Sequence, residues 1–161
     1  ISIFPVYGPW GRPDMALFKF TKSILNEEPI DVYNNGSMKR DFTYINDLVQ
    51  GIYLLINVAP KLLKGKSQNI QANDSLSPIA PYRIVNIGNG QPQQLTNFIK
   101  AIEVATGKSA IKNLMPMQPG DVPATWADTS LLKLLTGFKP RTELNYGVNQ
   151  FVEWYQRYYK H

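Results

Sequence analysis

The feature that most constrains the fold of this chain is a regular change between short apolar segments and longer runs of helical period. Glycine, proline and asparagine stand at most of the junctions. Apolar residues at spacings of three and four predict amphipathic helices, and short apolar runs between turn residues predict buried strands. The pattern therefore predicts an α/β fold with short strands and four or five helices.

The helices are expected to begin and end at typical capping residues. They are placed after Asp14, at about 46–57, from Leu95 to Ala105, over 129–136 and at about 146–159. Asp14 and Asp128 are suitable N-cap residues because a carboxylate accepts the free N–H groups of a first turn. Gly107 and Gly137 suit the ends of two helices, where a left-handed residue is needed.

Strands are expected between the helices, at residues 1–7, 30–33, 39–44, 83–87 and 111–117. The Asn34-Asn35-Gly36 sequence favours a hairpin between the second and third of them, because asparagine and glycine accept positive φ angles. Residues 57–81 have little apolar periodicity and are expected to form a surface loop. A chain of 161 residues suits one core, so residues 1–161 are predicted to form a single domain.

Composition excludes several classes of function. The chain has no cysteine and one histidine, His161, which argues against a thiolate metal site, a histidine metal site and a catalytic triad. The net charge of +5 favours an anionic partner, but the cations are spread along the chain and disfavour nucleic acid. No apolar run approaches the roughly 20 residues of a membrane span, and no leader is visible, so a cytoplasmic protein is expected.

Two segments, residues 4–15 and 38–45, place an arginine in a turn-rich, aromatic setting beside an apolar run. Arg12 and Arg40 are therefore candidates for holding an anion, since a guanidinium grips phosphate or carboxylate through two parallel hydrogen bonds. Arg40 could instead form a salt bridge to a nearby aspartate, Asp41 or Asp47. Arg12 could instead pack against Trp10 at the entry to a helix.

Redox machinery is not evident in the sequence. Gly88-Asn89-Gly90 resembles the start of a dinucleotide-binding turn, but Gln93 stands where a third glycine is needed, which favours a plain tight turn. A tyrosine base activated by lysine would need that lysine one helical turn later, and no tyrosine is followed by lysine at the fourth position. The chain is therefore not expected to bind NAD or to catalyse a redox step alone.

Several segments, in order, resemble the extended short-chain dehydrogenase/reductases. They are Val-Tyr-Gly-Pro-Trp-Gly-Arg-Pro-Asp-Met from Val6, Arg-Asp-Phe-Thr-Tyr-Ile from Arg40, Asn-Ile-Gly-Asn from Asn86 and Gln-Pro-Gly-Asp from Gln118. The nearest likeness is to NAD-dependent nucleotide-sugar epimerases, the UDP-glucuronate 4-epimerases above all. It implies the C-terminal, substrate-binding part of a Rossmann-type enzyme, without the N-terminal dinucleotide-binding half.

The resemblance also implies roles for individual residues. Arg40 would contact the diphosphate, Arg12 the sugar carboxylate and Asp121 the ribose hydroxyls, although Asp121 could be only a turn residue after Gly120. Tyr33 would lie against uracil, or it could be a core aromatic. Weaker candidates for lining the substrate pocket are Met15, Thr125 and Gln118, and Val6 would contact the cofactor.

The implied reaction is interconversion of UDP-glucuronate and UDP-galacturonate through a 4-keto intermediate, with NAD bound by the intact enzyme. The glutamine at 118 favours the uronate branch, because galactose-type relatives have an arginine there. Pro5 removes a side chain that could bond the sugar. A dehydratase or decarboxylase on a related nucleotide sugar, or a binding module without chemistry, stays open. Self-association is expected through the face that would meet the cofactor-binding half.

Overall fold

The computed structural model describes residues 1–61 and 74–160, and within these ranges it has five α-helices and nine short strands. The helices are α1 (Ala16–Leu25), α2 (Ile45–Ile56), α3 (Leu95–Thr106), α4 (Ser130–Thr136) and α5 (Leu144–Tyr159). The strands are β1 (Ser2–Ile3), β2 (Val6–Tyr7), β3 (Pro29–Tyr33), β4 (Lys39–Arg40), β5 (Thr43–Tyr44), β6 (Asn86–Ile87), β7 (Gln93–Gln94), β8 (Ile111–Met115) and β9 (Ala124–Thr125). The predicted α/β class is confirmed.

The first predicted strand is divided in two. β1 pairs in parallel with β6, and β2 pairs in parallel with β5. Pro5 lies at the break, and its carbonyl accepts a hydrogen bond of 2.9 Å from the main-chain N–H of Thr43. A proline has no N–H to donate to a strand partner, so the chain changes partner at this residue and joins β6 to β5.

The predicted hairpin at Asn34-Asn35-Gly36 is wrong. β3 pairs in parallel with β8 over five residues, whereas β4 pairs with β7 and β9. The three residues do adopt positive φ angles, but they form a 3-10 turn, Asn34–Gly36. Positive φ is needed in many turns besides the hairpin turns, so the dipeptide alone does not determine the strand pairing.

The main core lies where α1, α3 and α5 pack together and against β3. Its largest fully buried side chains include Ile24, Phe98, Ile99 and Phe151. A second, smaller core contains Leu48, Val85, Ile87 and Leu132, from α2, α4 and the segment ending in β6. Burial of apolar surface is the main stabilising term in such an arrangement, at roughly 25 cal/mol per Å².

The capping predictions have different outcomes. Asp14 is not an N-cap, because α1 begins at Ala16 after Met15 and no side chain caps it. Asp128 does accept the main-chain N–H of Ser130 at 2.9 Å, at the start of α4. Of the predicted 57–81 surface loop, residues 62–73 lie outside the described residues. Within the part of the chain that is described, no helix is long and apolar enough to cross a membrane.

Candidate functional site

Arg40 lies at the centre of a compact polar cluster. Its guanidinium donates to Asp121 Oδ1 at 2.7 Å and to the carbonyls of Val122 and Lys39 at 2.8 and 3.0 Å. The Arg40 and Asp121 side chains are only 21% and 32% exposed. A guanidinium carries five N–H donors, so the three bonds leave two, which is the number that a bidentate contact to phosphate needs.

Asp121 is held in the same cluster with one oxygen unused. Its Oδ1 accepts from Arg40 and from the main-chain N–H of Val122 at 3.0 Å, while no bond from a described residue reaches Oδ2. It is also a turn residue, because its N–H donates to the Gln118 carbonyl at 3.2 Å and Gly120 has a φ of +83°. The unused oxygen can accept ligand hydroxyls.

Two other predicted residues belong to this group, which we call the Arg40 cluster: Arg40, Gln118, Asp121 and Thr125. Thr125 is the register partner of Arg40 where β4 and β9 pair in parallel. Its hydroxyl oxygen is buried and has no hydrogen-bond partner among the described residues. Gln118 takes part through its main-chain carbonyl. The cluster thus joins residues up to 85 positions apart in sequence, from 40 to 125.

Neither nearby aspartate pairs with Arg40, contrary to the salt bridge that the sequence left open. Asp41 is fully buried and accepts the main-chain N–H groups of Asn89, Gly90 and Ala127 at 2.9–3.0 Å. Asp47 accepts the N–H groups of the segment before α5. The Arg40 cluster therefore stands beside a buried carboxylate that fixes the adjoining loops.

The Asp41 carboxylate also explains the Gly88-Asn89-Gly90 turn. A Cβ atom at Gly88 would lie 2.5 Å from the Ala127 Cβ and 2.8 Å from Asp41 Oδ2, so only glycine fits. The N–H groups of Asn89 and Gly90, which a dinucleotide-binding turn would direct at phosphate, already donate to Asp41. The turn does not fit the pyrophosphate of NAD, and helix α3 begins only at Leu95.

Arg12 lies in a different setting, which we call the Arg12 cleft. This cleft of about 320 Å³ lies in the loop between β2 and α1, and its lining includes Val6, Trp10, Arg12, Met15 and Ile45. Three predicted site residues, Val6, Arg12 and Met15, thus line one cavity. Arg40 is not among its lining residues.

The Arg12 side chain is exposed and paired locally. Its guanidinium donates to both oxygens of Asp14, at 3.0 and 2.6 Å, and the two side chains are 76% and 58% exposed. The hydrogen bond from Arg12 lowers the pKa of the Asp14 carboxyl. The predicted alternative, packing on Trp10, is not the main contact, because Trp10 lies against Trp154 and Tyr158 with ring centroids 5.2 Å apart.

Backbone geometry shapes the loop that carries Arg12. Gly8 has a φ of +136°, and a Cβ there would lie 2.6 Å from the Ile45 Cγ2 atom. Position 8 therefore requires glycine, because the first residue of α2 packs against it. Trp10 adopts a φ of +63°, which is strained for a bulky residue. Sequence analysis did not propose Trp10 as a lining residue, although its place between Pro9 and Gly11 was a signal for an aromatic residue in a turn.

Tyr33 belongs to neither group. It ends β3, opposite Met115 of β8, and is half-buried. Tyr7, which precedes the Arg12 loop, is buried and its hydroxyl lies close to Gly147 of α5. Burial, with a smaller contribution from Asp47, raises the pKa of Tyr7 above its ordinary value. Tyr7 therefore anchors the start of the Arg12 loop against α5.

Comparison with known proteins gives the family context. Residues 1–70 match the model of the NAD dependent epimerase/dehydratase family. The chain is 53% identical over 157 residues to the "Probable UDP-glucuronate 4-epimerase" of Rhizobium meliloti (strain 1021), covering 98% of this chain and 46% of that protein. It is 39% identical to UDP-glucuronate 4-epimerase 4 of Arabidopsis thaliana, with 99% of this chain and 36% of that one covered.

Comparison with solved structures shows that the fold of this chain is similar to part of a UDP-glucuronic acid 4-epimerase. The UDP-glucuronic acid 4-epimerase of Bacillus cereus, in complex with UDP-glucuronic acid and NAD, superposes with a TM-score of 0.77 at 30% identity. The match covers 98% of this chain and 44% of that one. The chain thus spans less than half the length of these relatives, as a segment of an extended short-chain dehydrogenase/reductase fold.

One prediction from the sequence is wrong. The chain was assigned to the C-terminal half of such an enzyme, without the N-terminal dinucleotide-binding half. The family model instead matches the first 70 residues, and the relatives align from the beginning of this chain. The motifs behind the assignment are short and local, so they indicate similarity to a family without determining the position of a segment within a longer protein.

Proposed function

Because this chain is homologous to UDP-glucuronate 4-epimerases of the NAD dependent epimerase/dehydratase family, we propose that it forms the UDP-sugar-binding part of a nucleotide-sugar 4-epimerase. The substrate of the whole enzyme is UDP-glucuronate, which it interconverts with UDP-galacturonate through a 4-keto intermediate. Residues 1–161 act as a single substrate-binding domain of that larger enzyme.

The observation that carries this proposal is the pairing of Arg40 with Asp121. Arg40 has two N–H donors that bond to no described residue, and Asp121 has one such carboxylate oxygen. An Arg40 Nη2–H donates to Asp121 Oδ1 at 2.7 Å, and both side chains are partly shielded from water. A diphosphate next to a ribose diol needs this combination of donors and acceptors, because phosphate oxygens only accept and hydroxyls can donate. Asp121 also holds the guanidinium in place before a ligand arrives, which reduces the entropy lost on binding.

The remaining predicted residues have supporting roles in the proposal. Arg12 binds the sugar carboxylate from the loop between β2 and α1, and Tyr33 contacts uracil. Met15, Thr125 and Gln118 line the path between them. Val6, at the wall of the Arg12 cleft, is the contact of this chain with NAD.

The experiment that tests the proposal is calorimetric titration of the 161-residue chain with UDP. Arg40→Ala is expected to weaken UDP binding by about 10- to 100-fold, because one or two charge-assisted hydrogen bonds are lost. Arg157→Ala is the matched control, since Arg157 is exposed on α5 and, among the described residues, its side chain donates to the Glu153 carbonyl alone. UDP binding that is equal in both variants would contradict the proposal.

Redox chemistry is not assigned to the described residues of this chain. The family uses NAD, which supplies hydride transfer when it is bound, but the Gly88-Asn89-Gly90 turn does not fit its pyrophosphate. No tyrosine of the sequence has a lysine four residues later. We therefore expect no interconversion of UDP-glucuronate and UDP-galacturonate by the 161-residue chain alone, measured by separation of the two nucleotide sugars after long incubation.

A dehydratase or decarboxylase on a related nucleotide sugar remains the second candidate. An NDP-hexosamine 5,6-dehydratase, TunA, superposes on 96% of this chain with a TM-score of 0.72 at 25% identity, so the same segment serves another reaction. The third hypothesis, a binding or interaction module without chemistry, would be favoured if calorimetry showed no binding of UDP or of UDP-glucuronate. Self-association and a cytoplasmic location remain predictions.

A further inference from the structure

A second cavity lies away from both groups of predicted site residues. It occupies about 430 Å³ between the turn after Gly90, helix α3 and the segment that leads into α5. We call it the α3–α5 cleft. Only Tyr7 is shared between its lining and that of the Arg12 cleft, and neither Arg40 nor Asp121 lines it. Its volume is within the usual range for small-molecule sites, roughly 300–1,000 Å³.

Side-chain amides are the most numerous kind of side chain in the lining of the α3–α5 cleft. Five asparagine and glutamine residues line it: Asn89, Gln91, Gln93, Asn97 and Asn145. Each amide offers both a donor and an acceptor, which suits a ligand whose hydroxyl groups also donate and accept. A surface of lysine and glutamate alone would not provide this pairing.

Two cations at the α3–α5 cleft have no hydrogen-bond or ion-pair partner within the described residues, although the charge of Lys100 also acts on Glu103 at a distance. Lys100 of α3 and Arg141 both line the cavity, and no hydrogen bond or ion pair joins either side chain to another described residue. Glu143 is the single carboxylate in the lining. The cavity therefore carries a net positive charge that an anionic group of a ligand can neutralise.

The walls of the cleft are fixed by contacts made outside it. The main-chain N–H groups of Arg141 and Thr142 both donate to Asp47 Oδ2, at 3.0 and 2.8 Å. On the opposite side, the N–H of Asn89 donates to the buried Asp41. The Asn89 side-chain oxygen is itself buried and has no hydrogen-bond partner among the described residues. If the Asn89 amide turns towards the cavity, a ligand hydroxyl can donate the hydrogen bond that this oxygen lacks.

An aromatic ring completes the lining. Phe42 lines the cleft and is stacked on the fully buried Phe98, with ring centroids 4.2 Å apart and planes at 7°. Val104 adds an exposed aliphatic surface on α3. Such apolar area can pack against the C–H face of a ring while the amides bind its hydroxyls.

We propose that the α3–α5 cleft binds a small polyhydroxylated carboxylate of sugar-acid type, at a site separate from the UDP-sugar site. The carboxylate pairs with Lys100 and Arg141, the hydroxyls bond to the amides, and the ring lies against Phe42. Charge selects an anion and the amides select hydroxyls, so neither property alone is sufficient for full affinity.

The test is titration of the 161-residue chain with sodium glucuronate, followed by calorimetry and by NMR shifts of the asparagine and glutamine side chains. Lys100→Gln and Arg141→Gln are each expected to weaken glucuronate binding at least about tenfold. Lys133→Gln, on the exposed side of α4, is the matched control and is expected to leave the affinity unchanged. Melting curves of all variants establish that each is folded.

Three comparisons can overturn the proposal. Equal affinity for acetate would show a simple anion site, and equal affinity for glucose would show that the two cations are irrelevant. Loss of glucuronate binding in Arg40→Ala would assign it to the UDP-sugar site instead. UDP binding in Lys100→Gln is expected to be unchanged, so failure of the glucuronate proposal is distinguishable from failure of the proposed function. If the chain does not bind glucuronate at all, the proposal is wrong.

Discussion

The two arginines that the sequence placed in similar settings have very different surroundings in the structure. Arg12 is 76% exposed and bonds to Asp14, two residues away, on a loop. Arg40 is 21% exposed and bonds to Asp121, 81 residues away, and to two main-chain carbonyls. One is a local surface pair and the other is a tertiary cluster.

The difference shows how the same side chain can be prepared for a ligand to different degrees. Surface ion pairs contribute little because water and ions screen them and both side chains lose freedom. A guanidinium that tertiary contacts already hold loses less on binding. We therefore expect Arg40 to provide affinity for the whole ligand class, and Arg12 to adjust the choice among sugars.

The largest expected effect tests the buried Asp41 carboxylate, which holds the loops beside the Arg40 cluster in place. Asp41→Asn is expected to lower the free energy of unfolding by about 3 kcal/mol or more, because the amide nitrogen cannot accept the N–H groups that the lost oxygen bound. Asp14→Asn, beside the other arginine, is the matched control and is expected to leave stability unchanged. Urea unfolding followed by tryptophan fluorescence measures both.

Equal stability in these two variants would remove the contrast between the two regions. The Asp41 carboxylate joins β4 to two distant loops, at Asn89 and Ala127, so its loss should also weaken UDP binding. If Asp41→Asn left both stability and UDP binding unchanged, the Arg40 cluster would not depend on the buried carboxylate.

The next effect concerns selectivity. Arg12→Ala is expected to reduce the preference for UDP-glucuronate over UDP-glucose by about tenfold, because the uronate loses its cationic partner while the diphosphate contacts remain. Arg12→Lys should keep part of the preference, since lysine retains charge without the fork geometry. Calorimetry with both nucleotide sugars measures the ratio, and an unchanged ratio would exclude Arg12 from sugar recognition.

Local order was largely predictable from the sequence, and long-range pairing was not. The periodicity that placed a helix at Leu95 and its end near Gly107 depends on neighbours along the chain, and α3 occupies Leu95–Thr106. The hairpin at Asn34 failed because β3 finds its partner 82 residues later, in β8. The Asn-Gly dipeptide favours a turn, but it does not determine which strand β3 pairs with.

The candidate site shows the same limit. Residue type and setting made Arg40 a candidate for holding an anion, and the family resemblance implied that Asp121 binds hydroxyls. The structure brings these two residues together. The same reasoning did not anticipate that Arg12 would lie in another cleft, or that Asp41 would occupy the N–H groups of the glycine turn. The position of Asp41 depends on contacts between segments distant in sequence, whereas the Arg12 cleft is lined mainly by residues 6–15, with Ile45 from α2.

A third effect, which appears only at alkaline pH, concerns the buried anchor of the Arg12 loop. Burial raises the pKa of Tyr7, so above about pH 10 the unfolded chain releases this proton while the folded chain retains it. Stability is therefore fully present below that pH and falls as pH rises, by about 1.4 kcal/mol per pH unit for one such group. Tyr7→Phe should make the decline less steep, whereas Tyr53→Phe, at an exposed site, should not. Identical slopes in alkaline unfolding curves would contradict the role of Tyr7.

The smallest expected effect tests whether Asp14 competes with the ligand for Arg12. Asp14 occupies both N–H donors that a sugar carboxylate would use, so Asp14→Asn should raise the affinity for UDP-glucuronate about two- to threefold. The gain should shrink above about 0.5 M salt, because both charges are exposed and screened. Affinity for UDP-glucose should not change, since that sugar has no carboxylate. A gain of equal size for both nucleotide sugars would mean that Asp14 acts on the diphosphate through its charge, and Arg12 would then be no more than a surface cation paired with its neighbour.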